Sequence, residues 1–498
     1  MLKKFSISLR IRLLISIAVA SLVIAPQIVA FLITPSMYVF NGINTISNFN
    51  DVEGVYFSVI KQSSEGGFKY INQFDFGSTP FFLYPVYLVL GKIAALGNLS
   101  IPFVYHLSSL ILSFTFSMFL FKFLSLFFTK VKEVFLAFLL INFGGVLLMI
   151  VPEANVFVSY TFPHFIVAQM SLFISIYFLI RYASYQNPLN LFVIFFATFI
   201  LSMVHPWMSL LLGVSYFIWA TYLFQRNGNP RYYLPMIAIL AASVPWLYFY
   251  SSNVFWTTFP LKSKIVLLPL IFGPFLFLAI LGLFNIKFKK KIDSFIFLRI
   301  WLLTQVVFMY LPFAFQRRFS EGISVPIAIF AVLGIKKLIN FHAPSKPLIV
   351  ITLPFLFTFI FVYPLINIFW LIDNKDVYKT PGEINAAKYL DQNGGFDKRI
   401  LSSPYNGNFI AGRAKISVYL GHGTQTPNFD QKLIITASFY KGETSKKERE
   451  EFLKKESICY IYVGPQETQV LKINLDKETY IQKVFHENEI SLYKLKIC

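Results

Sequence analysis

The sequence predicts an α-helical polytopic membrane protein with a small α/β domain at its C-terminal end. Three observations carry that expectation. The chain is 56% hydrophobic and only 14% charged, against about 25% charged in an ordinary soluble domain. Long apolar stretches recur as far as Leu371, and the short connections between them alternate in charge. After Trp370 the composition turns abruptly polar and charged.

A bilayer span needs about 20 mostly apolar residues, and about eleven stretches qualify. They centre on residues 11–33, 105–128, 134–151, 162–181, 189–205, 207–225, 232–250, 265–285, 294–314, 322–340 and 347–371. The N-terminal MLKKFSISLRIR followed by an apolar run is too long for a cleaved signal and lacks a small-residue cleavage site. It is expected to remain as the first span. No CxxC, HExxH or GxxxxGK[ST] pattern occurs, so none of these ready-made zinc or phosphate-loop motifs is present. The two cysteines, Cys459 and Cys498, say little by themselves about compartment.

Orientation follows from the basic residues. With the N-terminus cytoplasmic, inner connections hold Lys3, Lys4, Arg10, Arg12, Lys122, Lys130, Lys132, Arg181, Arg226 and Arg231. They also hold the Lys287 to Lys291 cluster, Lys336, Lys337 and Lys346. The short outer connections hold only Lys262, Lys264, Arg317 and Arg318. Cytoplasmic loops carry such an excess, so the predicted location is the plasma membrane, with the C-terminal domain extracytoplasmic. The formal charge of +20 is absorbed by this pattern, and no nucleic-acid partner is expected.

The domain boundaries expected are 1–373 for the membrane domain and 374–498 for the soluble one, with 34–104 as a long outer loop. Within that loop, Pro80–Gly97 is apolar but carries Pro85, Lys92, Tyr84 and Tyr87. A crossing there would invert every later basic loop, so an amphipathic surface helix is expected. In the tail, Thr380-Pro381-Gly382-Glu383 has the spacing of a capping box and opens a helix through Tyr389. Ser445 and Glu448 repeat that spacing before REEFLKKE, and RILSS, ISVYLG, ICYIYVG and ISLYKLKI read as strands. A domain of about 120 residues results. It has no nucleotide-binding glycine fingerprint and is expected to serve recognition or structure.

The candidate chemistry gathers on the outer side. Asp51 and Glu53 follow the first span; carboxylates there suit a general base or a divalent-metal ligand, or simply cap the helix that follows. Arg317 and Arg318 in QRRFSEG run against the orientation rule, and paired guanidiniums suit a lipid phosphate; ordinary contact with anionic lipid is the plainer use. Glu153, His164 and His205 also fall on the outer side, with His106 and Tyr105 entering the second span. Histidines beside prolines serve equally as hydrogen-bonded turn residues. Arg299, inside a span, needs only snorkelling or packing in the bundle.

Four features in chain order then resemble the GT-C superfamily of polytopic glycosyltransferases, nearest in style to bacterial proteins resembling protein O-mannosyltransferases and lipid A aminoarabinose transferases. They are Asp51 in a long outer loop, the helix FFLYPVYLVLGKIAALG, the connection LPFAFQRRFSEGISVP, and a tail carrying FIAGRAKISVYLGHGTQT. The resemblance implies an inverting transfer of sugar from a polyprenyl-phosphate donor to a glycan, lipid or protein acceptor. By the same resemblance Asp51 is the base, Glu53 assists it or holds a divalent metal such as Mg or Mn, and Arg317 and Arg318 bind the donor phosphate. One departure stands out: Val52 separates the two acids, and on a helix that spacing turns them about 200° apart, whereas in an extended turn they could converge. A transporter or flippase of lipid-linked sugars, or a non-catalytic scaffold, are the alternatives from other classes; the crowding of polar residues at span ends, rather than at the midplane, argues against transport.

Overall fold

The computed structural model describes residues 7–43, 51–144, 154–251, 272–284, 293–312, 316–340 and 377–498. The expected span at 347–371 and the candidate Glu153 lie outside the described residues. Among those described, six helical segments are long and apolar enough to cross a membrane: Leu9–Leu32, Ile101–Leu124, Pro163–Tyr185, Pro206–Asn227, Pro230–Ser251 and Gln316–Leu338. Pro188–Val204, Pro274–Phe284 and Ser294–Tyr310 are shorter apolar helices. An integral membrane protein follows.

The chain forms two compact units, one of Met1–Ala25 with Leu107–Asn367, the other of Pro26–His106 with Ile368–Cys498. In the first, neighbouring helices are joined by hydroxyls: Ser175 Oγ lies 3.2 Å from Thr198 Oγ1, and Ser202 donates to Ser243 Oγ at 3.1 Å. Small polar residues let helices approach closely where burying apolar surface gives no drive. Arg299 donates to the Leu283 carbonyl, the bundle-packing role expected of it.

In the second unit the long loop folds with the tail. Its helix Pro85–Gly97 has 13 residues, about 20 Å at 1.5 Å per residue, too short to cross a core of about 30 Å. Tyr87, Leu88 and Leu90 are buried, while Val89, Ile93 and Leu96 stand exposed. That is an apolar face of the kind a surface helix presents. A two-residue strand β1 (Val39–Phe40) pairs antiparallel with β2 (Tyr378–Lys379).

The tail builds a five-stranded sheet from β3 (Gly395–Leu401), β4 (Ile416–Val418), β5 (Ile458–Val463), β6 (Ile481–Glu487) and β7 (Ile490–Leu495), in the order β4-β3-β5-β7-β6. The first three are mutually parallel and the last two form an antiparallel hairpin. Helices Pro404–Ala411, Phe429–Lys441 and Lys446–Lys455 make the crossovers. β5 is buried along its whole length, which explains its uninterrupted apolar run. Both capping boxes form, Thr380 with Glu383 and Ser445 with Glu448, and the first helix runs on to Asn393. A disulfide joins Cys459 to Cys498.

Loop residue Gln73 closes the open edge of β4. Its carbonyl accepts from Val418 N–H at 2.8 Å, and its amide donates to the carbonyls of Ala414 and Ile416 at 2.8 and 2.7 Å. The turn Asp51–Tyr56 meets helix Pro404–Ala411 through two glycines. A Cβ on Gly412 would sit 2.1 Å from the Glu53 carbonyl, and one on Gly54 would sit 2.5 Å from Asn408 Oδ1. Neither position has room for a side chain. Gly412→Val is therefore expected to destabilise this unit by about 1–3 kcal/mol, read as a lower thermal midpoint for the purified protein, whereas Gly423→Ala, where nothing lies within 4 Å, should leave the midpoint in place.

Candidate functional site

Asp51 opens a wide π-type turn, Asp51–Tyr56, that continues as helix Phe57–Glu65. Its Oδ1 lies 2.6 Å from Nε2 of His422. His422 follows β4 in the turn Leu420-Gly421-His422-Gly423, and its Nδ1 receives the main-chain N–H of Thr424 at 3.3 Å. A main-chain N–H only donates, so Nδ1 is the accepting nitrogen and Nε2 carries the proton toward Asp51. The Asp51 side chain is 35% exposed and that of His422 only 8%. The carboxylate is thus anchored on one oxygen while still meeting solvent.

A cluster of tyrosines lies near enough to this carboxylate for its charge to act on Tyr87 and Tyr105. Tyr56 stacks on Tyr87 with centroids 4.3 Å apart, Tyr84 meets Tyr56 edge-on at 5.8 Å, and Tyr105 stacks on Tyr87 at 6.0 Å. Burial pushes the Tyr87 hydroxyl well above its ordinary range, and the negative charge of Asp51 adds to the shift. The Tyr87 phenol is thereby held in its neutral form.

Glu53 points elsewhere. It is 2% exposed, and its Oε1 accepts from Asn41 Nδ2 at 2.9 Å. Arg413 donates to the Asn41 carbonyl and stacks over Phe57 with its guanidinium carbon 5.2 Å from the ring centre. Burial lowers the pKa of Arg413, and the charge of Glu53 opposes that shift. Glu53 accordingly sits in a buried polar knot that fixes the loop, while Asp51 faces His422. The two acids diverge, as their spacing across Val52 requires once the segment is helical. Among the described residues no three His, Cys, Asp or Glu side chains gather as a metal-binding group. Asp51 and His422 would supply one oxygen and one nitrogen ligand, too few to define a site for Mg or Mn, and no step below is routed through a metal. His106 Nε2 lies 2.8 Å from the Gly42 carbonyl, a structural contact.

The membrane unit has its own polar cluster. Nδ1 of His205 lies 2.7 Å from Oε2 of Glu321, both side chains at most 3% exposed. The His164 ring packs edge-on against that of His205 at 5.4 Å. Arg317 and Arg318 lie in the short helix Gln316–Ser320. The Arg318 guanidinium stacks 5.4 Å from the Phe165 ring centre and 5.8 Å from that of Trp207. Gln305 donates to the carbonyls of Phe319 and Glu321 at 2.7 and 2.8 Å, pinning the segment. Sequence reading named His164, His205, Arg317 and Arg318 but assigned nothing to Glu321 or His422. For Glu321 the signal was present, since a carboxylate three residues beyond paired arginines in an apolar chain requires a partner.

No protein-family model matches the chain, and no curated protein sequence matches it. Solved structures do. The arabinofuranosyltransferase AftD from Mycobacteria aligns with a TM-score of 0.58 at 11% identity, covering 98% of this chain and 40% of that one. The archaeal oligosaccharyltransferase AglB from Archaeoglobus fulgidus, in complex with an inhibitory peptide and a dolichol-phosphate, aligns with a TM-score of 0.56 at 11% identity, covering 91% of this chain and 68% of that one. The Archaeoglobus fulgidus oligosaccharyltransferase with Zn and sulfate gives 0.53 at 11% identity, covering 97% and 73%. Both proteins are GT-C superfamily membrane glycosyltransferases, and the chain shares their fold. It spans well under half the length of the arabinofuranosyltransferase.

The His205–Glu321 pair generates a stability prediction. Removing one partner of a buried hydrogen-bonded pair leaves the other unsatisfied at about 1–3 kcal/mol, more for a charged group, whereas replacing both by apolar groups is often neutral. Glu321→Leu alone should lower the thermal midpoint strongly, and His205→Phe combined with Glu321→Leu should restore most of it. A double variant as unstable as the single one would show that the two side chains do not act as a pair.

Proposed function

We propose that the chain is a membrane glycosyltransferase that moves a sugar from a polyprenyl-phosphate carrier to an acceptor hydroxyl at the outer membrane face, with inversion. One observation carries this reading: a partly exposed carboxylate, Asp51, anchored by a buried imidazole 2.6 Å away and felt electrostatically by Tyr87 and Tyr105. The fold shared with an arabinofuranosyltransferase and with an oligosaccharyltransferase solved in complex with a dolichol-phosphate supports the same class.

In this mechanism Asp51 takes the proton of the acceptor hydroxyl as the oxygen attacks the anomeric carbon. The bond from that carbon to the carrier phosphate breaks, and its electron pair leaves with the phosphate. His422 is a positioning residue. Its Nε2–H donates to Oδ1, which fixes the direction of the carboxylate. Tyr84, which alone in this tyrosine cluster is not buried, offers a ring face for the sugar. Arg317 and Arg318 are assigned the carrier phosphate, whose charge rises as it leaves and is met by guanidinium donors. His164 and His205 support that segment.

The outer-face assignment rests on the uneven distribution of Lys and Arg and on the Cys459–Cys498 disulfide, since such bonds persist on oxidising sides of membranes. A transporter reading loses ground because the exposed acid belongs to the loop and not to a span interior. The deciding experiment uses the full chain in nanodiscs with a radiolabelled polyprenyl-phosphate sugar and a membrane extract as acceptor. Asp51→Asn should lower transfer by about 10²–10⁴-fold with insertion and thermal midpoint intact. Undiminished transfer by that variant would remove Asp51 from the chemistry.

A further inference from the structure

The tail domain leaves one apolar ridge outside its core. Its exposed large apolar side chains are Leu433, Ile434, Ile435, Val470 and Ile497. The first three are consecutive on helix Phe429–Lys441, whose other side buries Thr436, Phe439 and Tyr440. Leu433 and Val470 line the same cavity, of about 620 Å³, as Tyr38 and Tyr378. An exposed apolar patch on an otherwise polar domain marks a surface made for a partner.

The two tyrosines on that cavity identify the partner. Tyr378 Oη donates to the Ala30 carbonyl at 3.2 Å, and Ala30 lies in the last turn of the apolar helix Leu9–Leu32. That helix has 24 residues, about 36 Å at 1.5 Å per residue, against a hydrocarbon core of about 30 Å. Its last turn therefore reaches the headgroup layer, and the cavity lies one tyrosine side chain away from it. Tyr38 follows the same helix by six residues, at the depth where tyrosines gather in membrane proteins. Phe31 and Leu32 of the span, Met37 and Val39 beside Tyr38, and Leu433 and Ile434 of the tail are all exposed. The apolar surface of the span thus continues across residues 37–39 to the tail helix.

The flanking charges are mixed. Asp430 and Lys432 precede the three aliphatic residues, and Lys441 and Glu443 follow them, so no single sign of headgroup is selected. We infer that helix Phe429–Lys441 is an interfacial helix that rests the tail on the bilayer, with Leu433, Ile434 and Ile435 among the lipid chains. The driving force is removal of apolar surface from water, and a neutral phosphatidylcholine surface is sufficient for it. The contact fixes the height at which the loop–tail unit is carried. It holds whether or not Asp51 takes part in sugar transfer, so its failure would leave that reading in place.

The test is electron paramagnetic resonance on the full chain in nanodiscs of dioleoylphosphatidylcholine, with one nitroxide label at a time. Cys459 and Cys498 are joined to each other and take no label. Ile434→Cys carries the deciding label, and Ile435→Cys repeats the reading should the first variant fail to fold. Leu14→Cys, exposed on the span, is the lipid reference. Lys447→Cys, whose side chain is 87% exposed, is the water reference. Dissolved oxygen, which concentrates in lipid, should relax the label at Ile434 severalfold more than a water-soluble nickel chelate does, as at Leu14, whereas the chelate should dominate at Lys447. A label at Ile434 relaxed mainly by the chelate would overturn the proposal by placing the ridge in water. A label shielded from both reagents would overturn it as well, because another protein segment would then cover the ridge.

Discussion

The contact between Asp51 and His422 joins residues 371 positions apart in sequence, and the organisation of the loop–tail unit depends on it. A loop that follows the first span pays a large closure entropy when it is held by the end of the chain. The hydrogen bond does not act alone. Gln73 completes the edge of β4, Arg413 and Glu53 enclose Asn41, and Gly54 and Gly412 remove the side chains that would keep the two stretches apart. Each of these contacts fixes the backbone on which Asp51 sits. The carboxylate therefore has one available direction, which is the preorganisation a general base requires.

The membrane unit applies the same physics with a different vocabulary. Its polar groups are few, and the strongest of them are buried together: His205 with Glu321, and Gln305 with two carbonyls of the same segment. The segment carrying Arg317 and Arg318 is thus fixed from behind by hydrogen-bonded partners, while Arg318 lies on the rings of Phe165 and Trp207. Guanidinium on an aromatic face is a weakly hydrated cation, suited to a phosphate that arrives from lipid.

Features set by local chemistry were legible in the sequence. Both capping boxes, the short helix Pro85–Gly97 and the strands at Ile416, Ile458 and Ile490 follow from residue spacing and composition. The divergence of Asp51 and Glu53 followed from helical geometry once Val52 was seen between them. Strand β6 was missed because IQKVFHE is a charged edge strand with an exposed face, and edges are protected by such residues. Helix Phe429–Lys441 was missed for a related reason: KLIITASF shows no clear helical period, and Leu433, Ile434 and Ile435 stand exposed on it. His422 had no local signal at all. Its meaning comes from Asp51, and long-range pairing is invisible to periodicity.

The central claim is that the tail domain orients the base through His422, so the two residues work as one unit. A double-mutant cycle on the transfer rate tests this most directly, using Asp51→Asn, His422→Ala and the combined variant. The account predicts a slowed His422→Ala enzyme, partly rescued in His422→Gln, and a double variant no slower than Asp51→Asn alone. Rate losses that simply multiply would contradict it, leaving His422 as a residue of the tail fold with no hold on the chemistry.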